Sequence, residues 1–594
     1  MEHRALAMKL NVLTLLGITL TTISGIFIAI WVINEAYYGM CFQDESFALL
    51  VAKDPNAYQL LPTRIGYFLR PFVLACSNDI PSLRVVSYLL LATSLFLNFV
   101  YGRRMSTGLD PCFGDRVCFF SLALVVASFS WIARSGTCRS LCYNQQTAIL
   151  LLLLSACLLA WLSNKKKEQS PISWSWSHFF SGFLFTWLGM IKPSAALIFL
   201  VFAGLALLYL GYFKSWQESR CALLGACLLL LPYFILCESP STLIANLKEW
   251  QVQEALLQSG HGLGAATSFA YQQTLAIYGE SLSFFGTRFM VCLLVFSCSL
   301  WFFHKRIPHS VAAIFGMLLL PLAATAGNLH AFSIAFIHSC SGGFALAIAI
   351  ACSAFVTTVF YKGLSHWKKP HLIWCYFLCF SAPLLYSFGS EVVFQSRAGG
   401  AASIYLGMAL LLVDAGVARQ RRSPKWIPVA SALLLSFYLY PNWKDSSVPP
   451  KETLAWDLGG LPYLDELDPA EFSSFLKKAE KGGWNSDTEV LDFWGRYPGI
   501  TYLMGGKSPV WPWYMSTYSG AEKFTAYNLT SLTPERLARL WIIEAEPAQP
   551  HVQLAKMPLP RNFAEGYLKV GQFRFRENVN QPWTDVRLWR PKEF

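Results

Sequence analysis

Asp44 and Glu45 are the residues most able to do chemistry in this sequence. They are adjacent carboxylates in the run Cys41-Phe42-Gln43-Asp44-Glu45-Ser46-Phe47, just past the first apolar segment, roughly residues 10–33. The same stretch carries Lys53, Asp54, Arg64 and Arg70, with Asp79 near its end. Acids and bases mixed at a lipid–water boundary suit a reaction between a polar acceptor and an anionic lipid. A carboxylate can take the proton of an attacking hydroxyl or amine. Cations can hold a departing phosphate. The plainer alternative is a solvated loop with ordinary surface charges. For Asp44 the two readings weigh about equally on composition alone. For Lys53, Asp54 and Asp79 the plain one is favoured. Metal dependence is open, because an Asp-Glu pair can serve as base or as part of a divalent cation site.

These groups need elements to hold them, and composition says which. Of 594 residues, 54% are hydrophobic and 14% charged, and mean hydropathy is +0.41. Soluble proteins carry about 25% charged residues. Apolar stretches of bilayer length recur over the first three quarters, so the chain reads as a polytopic α-helical membrane protein. The spans fall at roughly 10–33, 85–101, 117–133, 146–162, 176–191, 194–212, 221–237, 287–303, 311–327, 334–360, 371–388, 398–416 and 426–441. No small-residue cleavage site follows the first segment before Trp31-Val32-Ile33, so it reads as a retained span.

Basic residues cluster between alternate spans: Arg103-Arg104 with Arg116, Lys165-Lys166-Lys167, Lys214 with Arg220, His304-Lys305-Arg306, Lys362 with Lys368-Lys369, and Arg419 to Lys425. With about thirteen spans they share one side with Arg4 and Lys9, and that side is cytoplasmic by the positive-inside rule. The count depends on residues 176–212. One helix that long overshoots a bilayer of ~30 Å. Lys192-Pro193 interrupts it, since proline cannot continue the helical ladder. Two spans meeting at an outer Lys192-Pro193 turn keep every basic cluster inside.

The chain then divides into a membrane module, 1–441, and an outer C-terminal domain, 442–594. The module has long outer loops at 34–84 and 238–286, the second with an amphipathic segment Leu243–Trp250 lying along the interface. The tail is rich in Trp, Tyr, Pro and Gly and reads as a mixed α/β or loop-rich domain. It has a helix from Asp468 to Gly482 and a strand over Glu489–Trp494 before a Pro498-Gly499 turn. The expected location is the inner (plasma) membrane, with the N-terminus cytoplasmic and the tail periplasmic.

Several signals carry little. The net charge of +12 lies in short loops, where it sets topology, so nucleic acid is not an expected partner. The 16 cysteines sit mostly in apolar segments and none follows Cys379, so the tail has no disulfide framework. Cys138 and Cys142 flank an outer loop and read as two unpaired residues rather than a bridge. Gly505-Gly506-Lys507-Ser508 lacks the first glycine of a phosphate loop, having Thr501 there. Asn528-Leu529-Thr530 is a sequon that arises by chance, and no histidine, His261 included, shows metal-ligand spacing.

Outer-edge charges complete the candidates: Arg134 and Arg139 beside Tyr143-Asn144-Gln145, then Lys192, Glu238, Arg288, His330, Glu391 and Arg397. A lipid phosphate sits at headgroup level, where Lys192 and Arg397 can reach it; Arg64 and Arg70 are reserves. The competing roles are snorkelling for Lys192 and an ion pair with Glu391 for Arg397.

Three features together resemble the GT-C superfamily of membrane glycosyltransferases, near the family 39-like group of protein O-mannosyltransferases and lipid A aminoarabinose transferases. One is Phe42-Gln43-Asp44-Glu45-Ser46-Phe47-Ala48 after the first helix. The second is Tyr143-Asn144 opening the fourth span, with Gly182 to Lys192-Pro193-Ser194 in the fifth. The third is about thirteen spans ending in an outer domain, here with Tyr502-Leu503-Met504-Gly505-Gly506 and Pro512-Trp513. The resemblance implies a helical bundle with outer juxtamembrane helices and a sugar donor on a polyprenyl phosphate. The acceptor would be a lipid such as lipid A of lipopolysaccharide, an envelope glycan or a protein hydroxyl. Asp44 matches the residue that activates the acceptor and Glu45 its neighbour. Tyr143 and Asn144 are expected to bind substrate. The other readings are a transporter or flippase for a lipid-linked glycan, and an O-antigen ligase or polymerase. A transporter favours polar groups at mid-membrane depth and leaves a large outer tail unexplained.

Reporter fusions after Lys167 and after Phe594 should report opposite compartments. The same compartment for both would invert the later loops and remove the break at Lys192-Pro193.

Overall fold

The computed structural model describes residues 2–37, 41, 43–132, 139–165, 171–210, 216–257, 291–303, 305–308, 311–316, 340–363, 369, 372–378, 404, 406–414, 467–494, 498–512, 519–546, 557–559, 563–576 and 582–592. Ten helices make up its first part: α1 (Glu2–Glu35), α2 (Asp44–Lys53), α3 (Ile65–Ala75), α4 (Ile80–Thr107), α5 (Phe113–Ile132), α6 (Tyr143–Lys165), α7 (Pro171–Ile191), α8 (Pro193–Leu210), α9 (Trp216–Leu236) and α10 (Pro240–Leu257). Further apolar helices run over Val291–Phe303 and Cys340–Lys362. Among the described residues, the helices at Leu15–Glu35, Ile80–Thr107, Tyr143–Asn164 and Trp216–Leu236 are long and apolar enough to cross a membrane. The expected span at 426–441 lies outside the described residues.

Buried polar groups tie α4 to its neighbours α5 and α6. Tyr88 Oη on α4 donates to Leu124 O on α5 at 2.8 Å. Asn98 Nδ2 on α4 donates to Leu152 O on α6, also 2.8 Å. Such bonds are worth having where no water competes. α7 and α9 meet differently, through glycines. A Cβ on Gly182 would collide with Ala222 O, and one on Gly225 would collide with Phe179 O. Small residues let two backbones approach this closely.

α4 links the two ends of the bundle. Arg84 lies one turn inside its start and Arg103 near its end, about 28 Å apart at 1.5 Å per residue, close to a hydrocarbon thickness of ~30 Å. Arg103 pairs with Asp414 at 2.9 Å, with Lys362 and Asp115 within electrostatic reach of the same carboxylate. Members of two basic clusters therefore share the end away from Asp44.

Three expectations change in detail. The break at Lys192-Pro193 is one residue wide. Lys192 N–H still bonds Leu188 O, and Lys192 O accepts from Ala196 N–H. One residue is too short to let helices lie side by side at ~8–10 Å, so α7 and α8 meet at a corner. The first outer loop is largely helical, holding α2, a 3₁₀ turn at Pro55–Tyr58 and α3. Pro498-Gly499 opens a short helix, Pro498–Leu503, instead of forming a turn. Proline suits that place because the first helical turn leaves its N–H groups unbonded anyway.

The tail is mixed α/β. Helix Pro469–Lys481 starts at Asp468, whose carboxylate accepts from Glu471 N–H. Strands β1 (Val490–Asp492), β2 (Trp541–Glu546), β3 (Tyr567–Phe575) and β4 (Thr584–Pro591) form one sheet in the order β1-β2-β4-β3. β1 and β2 are parallel; the other pairs are antiparallel. Phe472 and Phe475 of the helix pack on Phe573 of β3. Cys142 is buried as a free thiol; Cys138 lies outside the described residues.

Gly225→Val should force α7 and α9 apart. Overpacking costs about 1–3 kcal/mol, so the midpoint of heat-induced aggregation in detergent should fall. An unchanged midpoint would mean the two helices do not meet at Gly225.

Candidate functional site

The site begins with an ion pair that the sequence does not advertise. Glu45 is 0% exposed and Arg84 is 1% exposed. Arg84 Nη2 lies 2.7 Å from Glu45 Oε2 and Arg84 Nε lies 2.9 Å from Oε1. Cys41 N–H and Ser140 N–H donate to the same carboxylate, at 3.1 and 3.2 Å. Arg84 Nη1 donates to Ala36 O just past α1. Buried charges demand this degree of pairing. Arg139 adds a bond to Glu35 O at 3.0 Å. The start of α2, the end of α1, the start of α4 and the entry to α6 are thereby fixed together. Arg84 is hard to single out from sequence because it falls at the edge of the loop, 34–84, that precedes the span. Its signal is a lone arginine at the edge of an apolar run, which needs a buried partner.

Burial pushes the Glu45 carboxyl up, but the Arg84 charge and the hydrogen bonds from Arg84, Cys41 and Ser140 outweigh it and hold the group below the usual range. Both carboxylates also sit in the first turn of α2, where the helix dipole favours negative charge.

Asp44, fixed by its neighbour, faces the first turn of α6. Tyr143 Oη donates to Asp44 Oδ1 at 3.1 Å, and Asn144 Nδ2 donates to Oδ2 at 3.0 Å. Asn144 Oδ1 accepts from Lys192 Nζ at 3.3 Å. The same ammonium lies 5.8 Å from the centre of the Tyr143 ring. Asp44 and Lys192 are 4% and 5% exposed. Four residues named from sequence, Asp44, Tyr143, Asn144 and Lys192, thus form one connected group.

The end of α7 that carries Lys192 is held by the first loop and by α6. Arg64 N–H donates to Met190 O at 2.8 Å, and Thr63 Oγ1 donates to Ile191 O at 2.6 Å. Trp187 Nε1 donates to Gln146 Oε1, joining α7 to α6. Phe68 and Phe72 of α3 lie against the Trp187 ring.

Arg64 itself has another occupation. Its Nε lies 2.8 Å from Glu238 Oε2, and its guanidinium also bonds Tyr233 Oη and Leu61 O. Asn246 Nδ2 bonds Glu238 Oε1 at 2.6 Å. Arg64 is therefore a clamp between the first loop, α9 and α10. Arg70 is exposed on α3 and forms no ion pair with a described residue. Arg397 and Glu391 lie outside the described residues. Asp79 caps α4, accepting from Ser82 N–H at 2.8 Å.

The acidic pair does not fit a divalent cation. Among the described residues, the four donors around Glu45 are N–H groups of Arg84, Cys41 and Ser140, so Asp44 is the one carboxylate of the pair not taken up by them. Among the described residues no three His, Cys, Asp or Glu side chains converge as metal ligands. Comparison with protein-family models, curated proteins and solved structures finds no match to the chain.

The folded value for Glu45 lies below its ordinary 4.5. Its stabilising contribution is therefore complete above about 4.5 and is lost as pH falls through the folded value. Glu45→Gln leaves Arg84 buried and uncompensated, at a cost of roughly 3–5 kcal/mol. The variant should melt lower than wild type at neutral pH, and the gap should narrow under acid. A gap that is constant with pH would show that Glu45 is not ionised in the fold.

Proposed function

We propose that the protein is an inverting glycosyltransferase that moves a sugar from a polyprenyl-phosphate donor to a hydroxyl of an envelope acceptor, at the outer face of the membrane. The observation that carries this is the placement of Asp44: a carboxylate held by Tyr143 and Asn144, with the Lys192 ammonium on the other side of Asn144. Base and cation are held a few ångströms apart at the end of the bundle away from the Arg103–Asp414 pair. Under this reading about thirteen spans place the N-terminus in the cytoplasm and the tail outside the inner membrane.

In the reaction the acceptor oxygen attacks the anomeric carbon from the face opposite the phosphate. The C–O bond to phosphate breaks, and its electron pair leaves with the polyprenyl phosphate. The acceptor proton passes to Asp44, and the configuration at the anomeric carbon inverts. Phosphate leaves without needing a strong acid, so the leaving side requires only positive charge. Lys192 supplies that charge. Asn144 serves both sides, fixing Asp44 through its amide N–H and Lys192 through its carbonyl. Glu45 is a positioning residue that acts through the backbone of α2. Arg64 positions Lys192 through the end of α7. Arg397 stays a proposed second donor ligand on its sequence position.

Asp44→Asn removes the proton acceptor and keeps the size. General base catalysis is typically worth ~10²–10⁴-fold, so kcat should drop by that factor, with folding and donor binding nearly unchanged. Lys192→Ala should raise the donor requirement about ten- to a hundred-fold, since a hydrogen bond to a charged group contributes roughly 1.5–3 kcal/mol. Labelled polyprenyl-phosphate sugars and the purified protein provide the assay. Wild-type turnover by Asp44→Asn would remove Asp44 from the base role. A change confined to acceptor dependence would move Lys192 to the acceptor side.

A further inference from the structure

The C-terminal domain meets the bundle at two places, and each leads to a different half of the site. The first is α2, which begins with Asp44. Helix Pro498–Leu503 packs along it. Lys53 Nζ, at the last residue of α2, donates to Gly505 O at 2.8 Å. Ser508 N–H donates to Tyr58 Oη, just beyond α2, at 3.0 Å. Gly505 has a φ of 73°, the left-handed conformation that ends a helix and suits glycine. The Gly505-Gly506-Lys507-Ser508 run is thus a strap between the tail and the segment that carries Asp44.

The second place is α10. Asn246, Trp250, Gln253 and Leu257 fall three or four residues apart and so share one face. All four are buried or half-buried, while Ile244, Leu247 and Val252 point away from that face and are exposed. The shared face joins the bundle to the tail. Asn246 Nδ2 donates to Glu238 Oε1 at 2.6 Å. One turn on, the Trp250 ring lies 4.3 Å from that of Trp511, which packs edge-on to Phe524 of the tail. At the far end Gly520 lies against the last carbonyls of α10, where a Cβ would collide with Leu256 O and Leu257 O. Helix Ala521–Thr530 starts there and packs on α10.

From Asn246 the connection runs on to the site. Glu238 holds Arg64, Arg64 N–H holds Met190 O, and Thr63 Oγ1 holds Ile191 O. The next residue is Lys192. Between Asn246 and Leu257, α10 is a strut of about 16 Å at 1.5 Å per residue. We propose that the tail is a brace that sets the position of Lys192 relative to Asp44. It holds α2 by the Gly505–Ser508 strap and the end of α7 by α10, and Trp250 is the positioning residue through which it acts on Lys192. This rests on the glycosyltransferase reading for what the two groups do once positioned; the mechanical link does not. A base and a cation that serve one reacting centre lose effect when their separation drifts by an ångström.

Coupling along such a chain is demonstrated when a change at one end moves the other. The test is amide hydrogen exchange of purified full-length wild type, Trp250→Ala and Trp250→Phe, with transfer kinetics on the same samples. Trp250→Ala removes the ring contact and leaves the tail's own residues in place. Exchange of a bonded amide follows its opening, and an aromatic pair is worth roughly a two- to twelve-fold change in such an equilibrium. Residues 61–67 and 188–196 should exchange faster in Trp250→Ala by about that factor. Those of α5 should keep wild-type rates, and Trp250→Phe should restore most of the protection. Faster exchange confined to α10 and the tail would overturn the inference. So would an equal loss of protection in α5, which would make Trp250 a general stabiliser of the fold. In transfer, Trp250→Ala should lower kcat by up to about a hundred-fold, with both KM values held because every binding group is present. An unchanged kcat would overturn the positioning role while the transferase reading stands. Absence of transfer by the wild type would instead overturn that reading, and the exchange result alone would then decide the brace.

Discussion

The site depends on one buried ion pair. Arg84 and Glu45 meet where the ends of α1, α2 and α4 come together, with no exposure of consequence, and each is satisfied by further hydrogen bonds. Such a pair is not a cheap source of stability; replacing both partners by apolar groups is often neutral. What it supplies is geometry. The bidentate contact fixes the rotation of α2, and that rotation decides where the neighbouring Asp44 points. The pair also gathers Ala36, Cys41 and Ser140, so the ends of separate helices share one anchor. A membrane bundle has little hydrophobic preference between its own helices and lipid. Polar anchors of this kind are then the means by which one arrangement is chosen.

From that anchor the site is built by relay. Glu45 holds α2, α2 holds Asp44, and Asp44 meets Tyr143 and Asn144 at the start of α6. Asn144 reaches Lys192. The corner between α7 and α8 is in turn held by Thr63 and Arg64 of the first loop, and Arg64 by Glu238. The segment between α1 and α4 therefore contributes the carboxylate near one end and steadies the end of α7 with Thr63 and Arg64. The tail packs against this segment and α10 through Lys53, Tyr58 and Trp250. The proposed chemistry needs this order, since a base and a phosphate ligand are useful only if both are preorganised around one anomeric carbon.

Much of this was legible in the sequence because charge is expensive near lipid. Asp44, Lys192 and the Tyr143-Asn144 pair stood out as polar residues at helix ends, and they lie together. Helical segments were legible from apolar length, as α1, α4, α6 and α9 illustrate. The tail helix was legible from its Asp468 cap and amphipathic pattern. Long-range pairing was not. Nothing local distinguishes Arg64, which bonds Glu238 across the loops, from Arg70, which is exposed. Glu45 and Asp44 are adjacent and chemically alike, yet one turns inward to Arg84 and the other toward α6. The Gly505–Ser508 strap looked like a failed phosphate loop because its partner, the first loop, lies more than four hundred residues earlier.

The central claim is that a new glycosidic bond is made at the Asp44 site. The direct measurement follows labelled sugar in sealed proteoliposomes containing polyprenyl-phosphate sugar and an envelope acceptor, with the product's anomeric configuration read by NMR. The account predicts label on the acceptor with inverted configuration, and polyprenyl phosphate released in equal amount. Label that stays on the polyprenyl phosphate and only changes leaflet would contradict it and favour a transporter.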